Sequence, residues 1–337
     1  GHVIPGMRFN ELKSFFGGMN RANENRKERK YKRAVSRRNK SGRFSYAYFN
    51  KEEKKIERKA SDLFKYGKFD DLEEMAAELR ASKSRTAEGR LKLIYFYSDL
   101  GSYVNRVYSG EREPPSPIKQ AKVWLSAKPN SVTAHTAFAR LLIKKAWKAR
   151  GGGYANTVSK DGWSNFHKYL KQAKVVLERA EMLQEKDPIM YNDFASVGRG
   201  LSVSKEQRVA WMKRGLLINP HYYTLYQSEA GTRLPRWGGS ADDVARFALS
   251  ASESLGGQEG LIAYFWIVDR IKRYFGYSLV SAGKPIAFDK SRFHKSLRVL
   301  LDRYPCAENY ARVSKYAVAL KDMELAQKCF NELGNQY

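Results

Sequence analysis

Five residues stand out for the chemistry they offer: Arg150, Tyr154, Trp163, Arg236 and Trp237. Arg150 precedes three successive glycines, Gly151-Gly152-Gly153, and glycine permits positive φ and close backbone approach. A phosphate cradle needs a strand before such a loop and Gly-Lys-Ser/Thr after it. Neither is present, so Arg150 to Trp163 reads as a long inter-helix loop with Trp147, Tyr154 and Trp163 as its anchors. Arg236 and Trp237 precede a second glycine pair, Gly238-Gly239. With Arg150, Tyr154 and Trp163 they either line a groove for a ligand or partner, or plug that groove. Ser240 with Asp243 is spaced to cap a helix over 241–255.

A second candidate is purely electrostatic. The chain of 337 residues carries a formal charge of +27 and a pI near 9.9. Residues 1–60 hold 18 Lys plus Arg against 6 Asp plus Glu. The densest run contains Arg26, Lys27, Arg29, Lys30, Lys32 and Arg33, followed by Arg37 and Arg38. Such an arm suits phosphate contact with counterion release, and Tyr31, Phe44, Tyr46, Tyr48 and Phe49 supply rings for stacking. The alternatives are a solubilising terminus or one that docks on an acidic partner.

Catalytic signatures are weak. His135, His167, His221 and His294 are scattered, and neither a metalloprotease nor a serine-hydrolase motif occurs. Glu178, Glu181 and Glu185 read as a solvated helix face. Cys306 and Cys329 form neither a metal-ligand spacing nor a disulfide framework, and read as small apolar residues in helices. No catalytic residue, metal ligand or cofactor is expected.

The elements that would position these residues are helices. Ile56, Ala60, Leu63 and Phe64, then Phe69, Leu72, Met75, Ala76 and Leu79, predict an antiparallel pair over 51–81 broken at Gly67. Residues 87–108 predict another helix, and Pro114-Pro115-Ser116-Pro117 a joint. Pro129, Pro188, Pro220 and Pro305 each follow an apolar helix tail, and Pro188 and Pro220 lie 32 residues apart. That approaches the tetratricopeptide period of about 34 residues. The run Leu261–Val268, cut by Asp269 and Arg270, predicts a buried helix rather than a span. The final pair turns at Lys321-Asp322. The expected fold is all-α, with antiparallel helix pairs stacked as a tetratricopeptide-like α-solenoid. Its parts are a basic arm over 1–50, a helical region over 51–112 and a repeat region over 118–337.

Several phrases carry a family resemblance. Ala146-Trp147-Lys148-Ala149-Arg150-Gly151-Gly152-Gly153-Tyr154-Ala155 with Gly162-Trp163, and Leu234-Pro235-Arg236-Trp237-Gly238-Gly239-Ser240, resemble a bacterial family known as domain of unknown function 4034. Phe69-Asp70-Asp71-Leu72-Glu73 and Lys83-Ser84-Arg85-Thr86-Ala87-Glu88-Gly89 fit its N-terminal half, so the likeness covers roughly 60–275. It implies a tetratricopeptide-like fold and no activity.

The reading is a non-catalytic interaction scaffold with a protein or peptide partner. Its rivals are nucleic-acid binding through the arm, and an enzyme or small-molecule sensor at the Arg/Trp loops. Gly1–Gly6 reads as a tag remnant ahead of a native Met7. A cytoplasmic site is favoured, or export if a leader has been removed.

Overall fold

The computed structural model describes residues 2–4, 7–8, 51–102, 115–276 and 288–335. The fold is all-α and solenoid-like, with fourteen helices among the described residues and one short antiparallel pairing of His2–Ile4 with Met7–Arg8. The helices fall into two compact units, one holding most of 52–237 and one holding 238–337.

The first unit begins with α1 (Lys51–Lys65) and α2 (Phe69–Ser82). Ala60 and Phe64 of α1 and Leu72 and Ala76 of α2 are fully buried, as their helical spacing requires. Gly67 ends α1 at φ +67°, where the Lys68 N–H donates to the Leu63 carbonyl at 2.9 Å. Within the described residues 87–102, the predicted helix over 87–108 begins later than its aromatic content suggests. Residues 84–92 instead form a turn, with Thr86 N–H on the Arg90 carbonyl (2.8 Å) and Lys92 N–H on the Ser84 carbonyl (2.9 Å). Only α3 (Leu93–Ser98) is helical there, and residues 103–114 lie outside the described part. Gly89, at φ +86°, supplies the positive-φ position that breaks the helix.

Next come α4 (Pro117–Ala127), α5 (Val132–Arg150), α6 (Lys160–Met182), α7 (Pro188–Gly200), α8 (Lys205–Ile218) and α9 (Tyr223–Thr232). Five of these six starts carry a side-chain cap. Ser116, Ser131, Ser159, Asp187 and Ser204 each accept a hydrogen bond from a first-turn N–H. Pro117 and Pro188 occupy first-turn positions, where no hydrogen bond is lost. Pro129 and Pro220 sit instead in the connecting turns.

Each helix from α4 to α9 packs on its neighbour in sequence, and α7 packs also on α5 and on α9. The alternate helices α5, α7 and α9 therefore form an inner row, with α6 and α8 outside it. Burial follows this placement. Val132 to Ala139 of α5 are buried without a break, whereas α6 buries one stripe: Gly162, Phe166, Leu170, Ala173, Leu177 and Ala180.

The second unit contains α10 (Ala241–Leu255), α11 (Gly257–Phe275), α12 (Lys290–Arg303), α13 (Ala307–Ala319) and α14 (Met323–Asn335), each packed on the next. Ser240 caps α10 through the Asp243 N–H at 3.0 Å, as its spacing predicts. The apolar run in α11 is the core, with Ile262 to Val268 all buried. Phe265 stacks parallel to Phe293 at 6.1 Å and meets Tyr316 edge-on at 6.0 Å. Gly260 lets α11 approach α10, because a Cβ there would lie 2.1 Å from the Ser252 carbonyl oxygen. Among the described residues no helix is long and apolar enough to cross a membrane.

Gly260→Ala should therefore destabilise the chain by roughly 1–3 kcal/mol, the range for overpacking a close contact. Gly334→Ala, where a Cβ meets nothing within 4 Å, should be neutral or stabilising. Urea unfolding followed by circular dichroism compares the two. Equal midpoints would show that the α10–α11 approach carries no constraint.

Candidate functional site: a row of arginines and tryptophans

The sequence candidates around Arg150 and Trp237 meet in the first unit. Trp147 and Arg150 lie in the last turn of α5, and Trp163 lies in the first turn of α6. Trp163 thus belongs to a helix rather than to the loop, which runs only from Gly151 to Ser159. Arg199 is the penultimate residue of α7, and Arg236 and Trp237 form the short 3₁₀ turn Pro235–Trp237 after α9.

These side chains alternate. The Arg150 guanidinium lies 5.3 Å from the Trp163 ring and 5.9 Å from the Trp147 ring. Arg199 lies 5.3 Å from Trp147 and 5.6 Å from Trp237, and Arg236 lies 5.9 Å from Trp237. Trp147 and Trp237 also meet edge-on at 6.1 Å. The row crosses one end of all three inner helices because α5 and α7 both finish there and the Pro235 turn follows the end of α9. Cationic side chains at helix C-termini are favourable there, since those ends carry partial negative charge.

Aromatic packing sets the row from beneath. Trp147 and Trp163 both meet Phe166 edge-on, at 4.8 Å and 5.7 Å, and Phe166 is buried. Trp147 Nε1–H donates to Ser196 Oγ at 3.2 Å. Arg150 also donates to the carbonyls of Gly151 (3.2 Å) and Gly153 (3.1 Å), which shapes the loop. Tyr154 stands apart from the row, 86% exposed. A guanidinium held near an indole face gains roughly 0.5–2 kcal/mol from the ring.

Behind the row runs a buried polar seam that sequence pattern alone did not single out. Asp187 is fully buried and accepts from Tyr97 Oη (2.6 Å), Arg80 (3.2 Å) and the Ile189 N–H (2.8 Å). Arg80 also donates to Thr133 Oγ1 at 2.8 Å and pairs with Glu185. Farther along α7, Asp193 pairs with Arg140 of α5 at 2.9 Å. Burial pushes the Asp193 carboxyl up to about 7, against the pull of Arg140. In α9, Glu229 is held by Arg233 at 2.9 Å.

Other sequence candidates resolve differently. Glu178 and Glu185 are exposed; Glu178 pairs with Lys174, Glu181 with Arg214, and Glu185, beyond the end of α6, with Arg80. His135 is buried, its Nδ1 2.7 Å from the Ser131 carbonyl. Cys329 is buried in α14, Cys306 precedes α13, and burial pushes both thiols up to about 12. Among the described residues no cluster of His, Cys, Asp or Glu is placed to hold a metal ion. Arg26, Lys27, Arg29, Lys30, Lys32, Arg33, Arg37 and Arg38 lie outside the described residues.

Residues 58–194 match the family model described as Domain of unknown function (DUF4034). The segment belongs to that family. The family segment thus spans α2 to α6 with most of α1 and the first half of α7, and it includes Trp147, Arg150 and Trp163. Arg199, Arg236 and Trp237 lie beyond the matched segment. No curated protein and no solved structure matches the chain.

Asp193 makes the first unit sensitive to pH. Its folded-state carboxyl titrates near 7, well above the ordinary value of 3.8. Between those values the folded chain keeps a proton that the unfolded chain releases, so the contribution of this one group to stability is fully present below pH 4 and is lost as pH rises towards 7. The part lost by pH 8 is on the order of 4 kcal/mol. Asp193→Asn, which cannot titrate, should flatten the decline between pH 5 and pH 8 in tryptophan-monitored urea unfolding. An identical decline in both chains would mean that Asp193 is ionised throughout.

Proposed function

We propose that the chain is a non-catalytic interaction scaffold that receives a protein or peptide partner across the Arg/Trp row. The observation that carries this reading is the alternation of Trp163, Arg150, Trp147, Arg199, Trp237 and Arg236 over the ends of three inner helices. Arginine and tryptophan are the residues that dominate binding energy when they sit pre-ordered at an interface. The contacts between these side chains are made within the chain itself, and such pre-ordering lowers the entropic cost of association. The half-buried rings offer apolar area, and the guanidinium groups offer positive charge that suits a carboxylate side chain or a chain terminus. Stacked helices suit such a surface, because each contributes one step of an extended face.

The test uses the full chain immobilised and exposed to soluble extract of its native host. Arg150→Ala with Arg236→Ala removes the two outer guanidinium groups and leaves the Trp147–Arg199–Trp237 centre. A specific protein should be enriched by wild type about tenfold over this variant, a difference near 1.4 kcal/mol. Circular dichroism should superimpose. Equal capture by both chains, or recovery of nucleic acid alone, would overturn the reading.

A further inference from the structure

We infer that the loop end of the α5–α6 hairpin is a binding surface for single-stranded nucleic acid, built from Lys144, Lys145, Lys148, Lys160, Lys168 and Lys171 around the rings of Tyr154 and Tyr169. Its side chains are other than those of the Arg/Trp row, at the same end of the α5–α6 pair.

Charge distribution carries the first half of the argument. From Arg140 to Lys174 there are nine Lys and Arg and one carboxylate, Asp161. The neighbouring stretches are nearly balanced: 51–86 has ten cations and nine carboxylates, 176–237 has nine and seven, and 241–276 has four and five. Arg140 and Lys174 are committed to Asp193 and Glu178. The six lysines are all exposed, and none lies within ion-pair distance of a carboxylate among the described residues. Spacing gathers them. Lys144, Lys145 and Lys148 occupy the last two turns of α5, and Lys160, Lys168 and Lys171 share one side of the first turns of α6. The two helices pack together, and Lys145 Nζ sits 4.4 Å from the Tyr169 ring across the pair. The charges of Lys145 and Lys168 both act to hold the Tyr169 hydroxyl below its usual range, after the hydrogen bond from Lys145.

Aromatic placement carries the second half. Tyr154 projects from the loop, 86% exposed. Cations tracking a backbone, with aromatic faces between them, are the arrangement on which unpaired bases stack. An acidic peptide would use the lysines but would not need the rings, and a duplex keeps its bases out of reach.

The test is fluorescence polarisation of a labelled 20-nucleotide deoxythymidine or uridine strand with the full chain, from low to moderate salt. Replacing Lys144, Lys145, Lys148, Lys168 and Lys171 by Gln should weaken binding and make the log–log salt dependence shallower by about 3, since each single-strand phosphate contact contributes about 0.7. A charge-matched set elsewhere (Lys55, Lys83, Lys119, Lys122 and Lys213 to Gln) should keep the wild-type slope. Tyr154→Ala should lower affinity about tenfold while leaving the slope unchanged. The inference is overturned if the hairpin variant keeps wild-type affinity and slope, which would place binding on other basic segments. It is overturned equally if polyglutamate competes as well as the oligonucleotide and Tyr154→Ala has no effect, which would make this an acidic-protein surface.

Discussion

The architecture of the first unit turns on one buried carboxylate. Asp187 has no solvent exposure, yet it caps α7, receives the Tyr97 hydroxyl of α3 and pairs with Arg80 of α2. Through Arg80 it reaches Thr133 at the start of α5. Removing a charge of this kind from water costs several kcal/mol, and only a full set of partners offsets it. Burial accordingly pushes the Asp187 carboxyl upwards, while Arg80 and the donors from Tyr97 and Ile189 pull it back. The geometry is therefore all or nothing: α2, α3, α5 and α7 must meet at one point or the charge is stranded. Such a junction gives specificity of arrangement more than net stability.

Fixing the start of α7 fixes its end. Thirteen residues of helix run from Pro188 to Gly200, so Arg199 is carried to a set place beside Trp147. The same holds for α5, where Ser131 and Thr133 are tied at one end and Trp147 and Arg150 emerge at the other. The Arg/Trp row is thus the far-end expression of the Asp187 junction. Glycine helps where rods must close up. At Gly200 an added Cβ would lie 2.3 Å from Leu170 Cδ1, and at Gly215 it would lie 2.7 Å from Leu225 Cδ2.

How much of this is legible in the sequence depends on range. Signals that act within one turn read correctly: Gly67 ends α1, Pro188 opens α7, and Ser240 caps α10. The helical rods follow from apolar spacing, down to the buried stripe of α6. The stretch 87–92 misled because its apolar neighbours outweighed one glycine, Gly89, whose positive φ turns the chain. At the site, the motifs carrying Arg150, Trp163, Arg236 and Trp237 were visible, but not the side chains that join them. Arg199 sits between two glycines with no local mark of function, and it enters the row only because α7 packs on α5 and α9. The acidic partners of the seam were equally silent, since a buried Asp187 and an exposed aspartate look alike before the fold is known.

That same sorting of carboxylates bears on where exposed positive charge lies within the first unit. A surplus of +27 would be unremarkable if spread evenly over the surface. In the first unit, however, Asp187, Asp193 and Glu229 are withdrawn into the interior with Arg80, Arg140 and Arg233. Glu178 and Glu181 are paired towards the far end of α6. The lysines at the α5–α6 loop end are left with Asp161 as the one acidic residue in their stretch. Like charges three and four residues apart on a helix repel by a few tenths of a kcal/mol per pair. A polyanion lying along them would convert that repulsion into attraction, with counterion release adding to it. The interior ion pairs and the exposed basic tip are therefore two outcomes of one partition of charge.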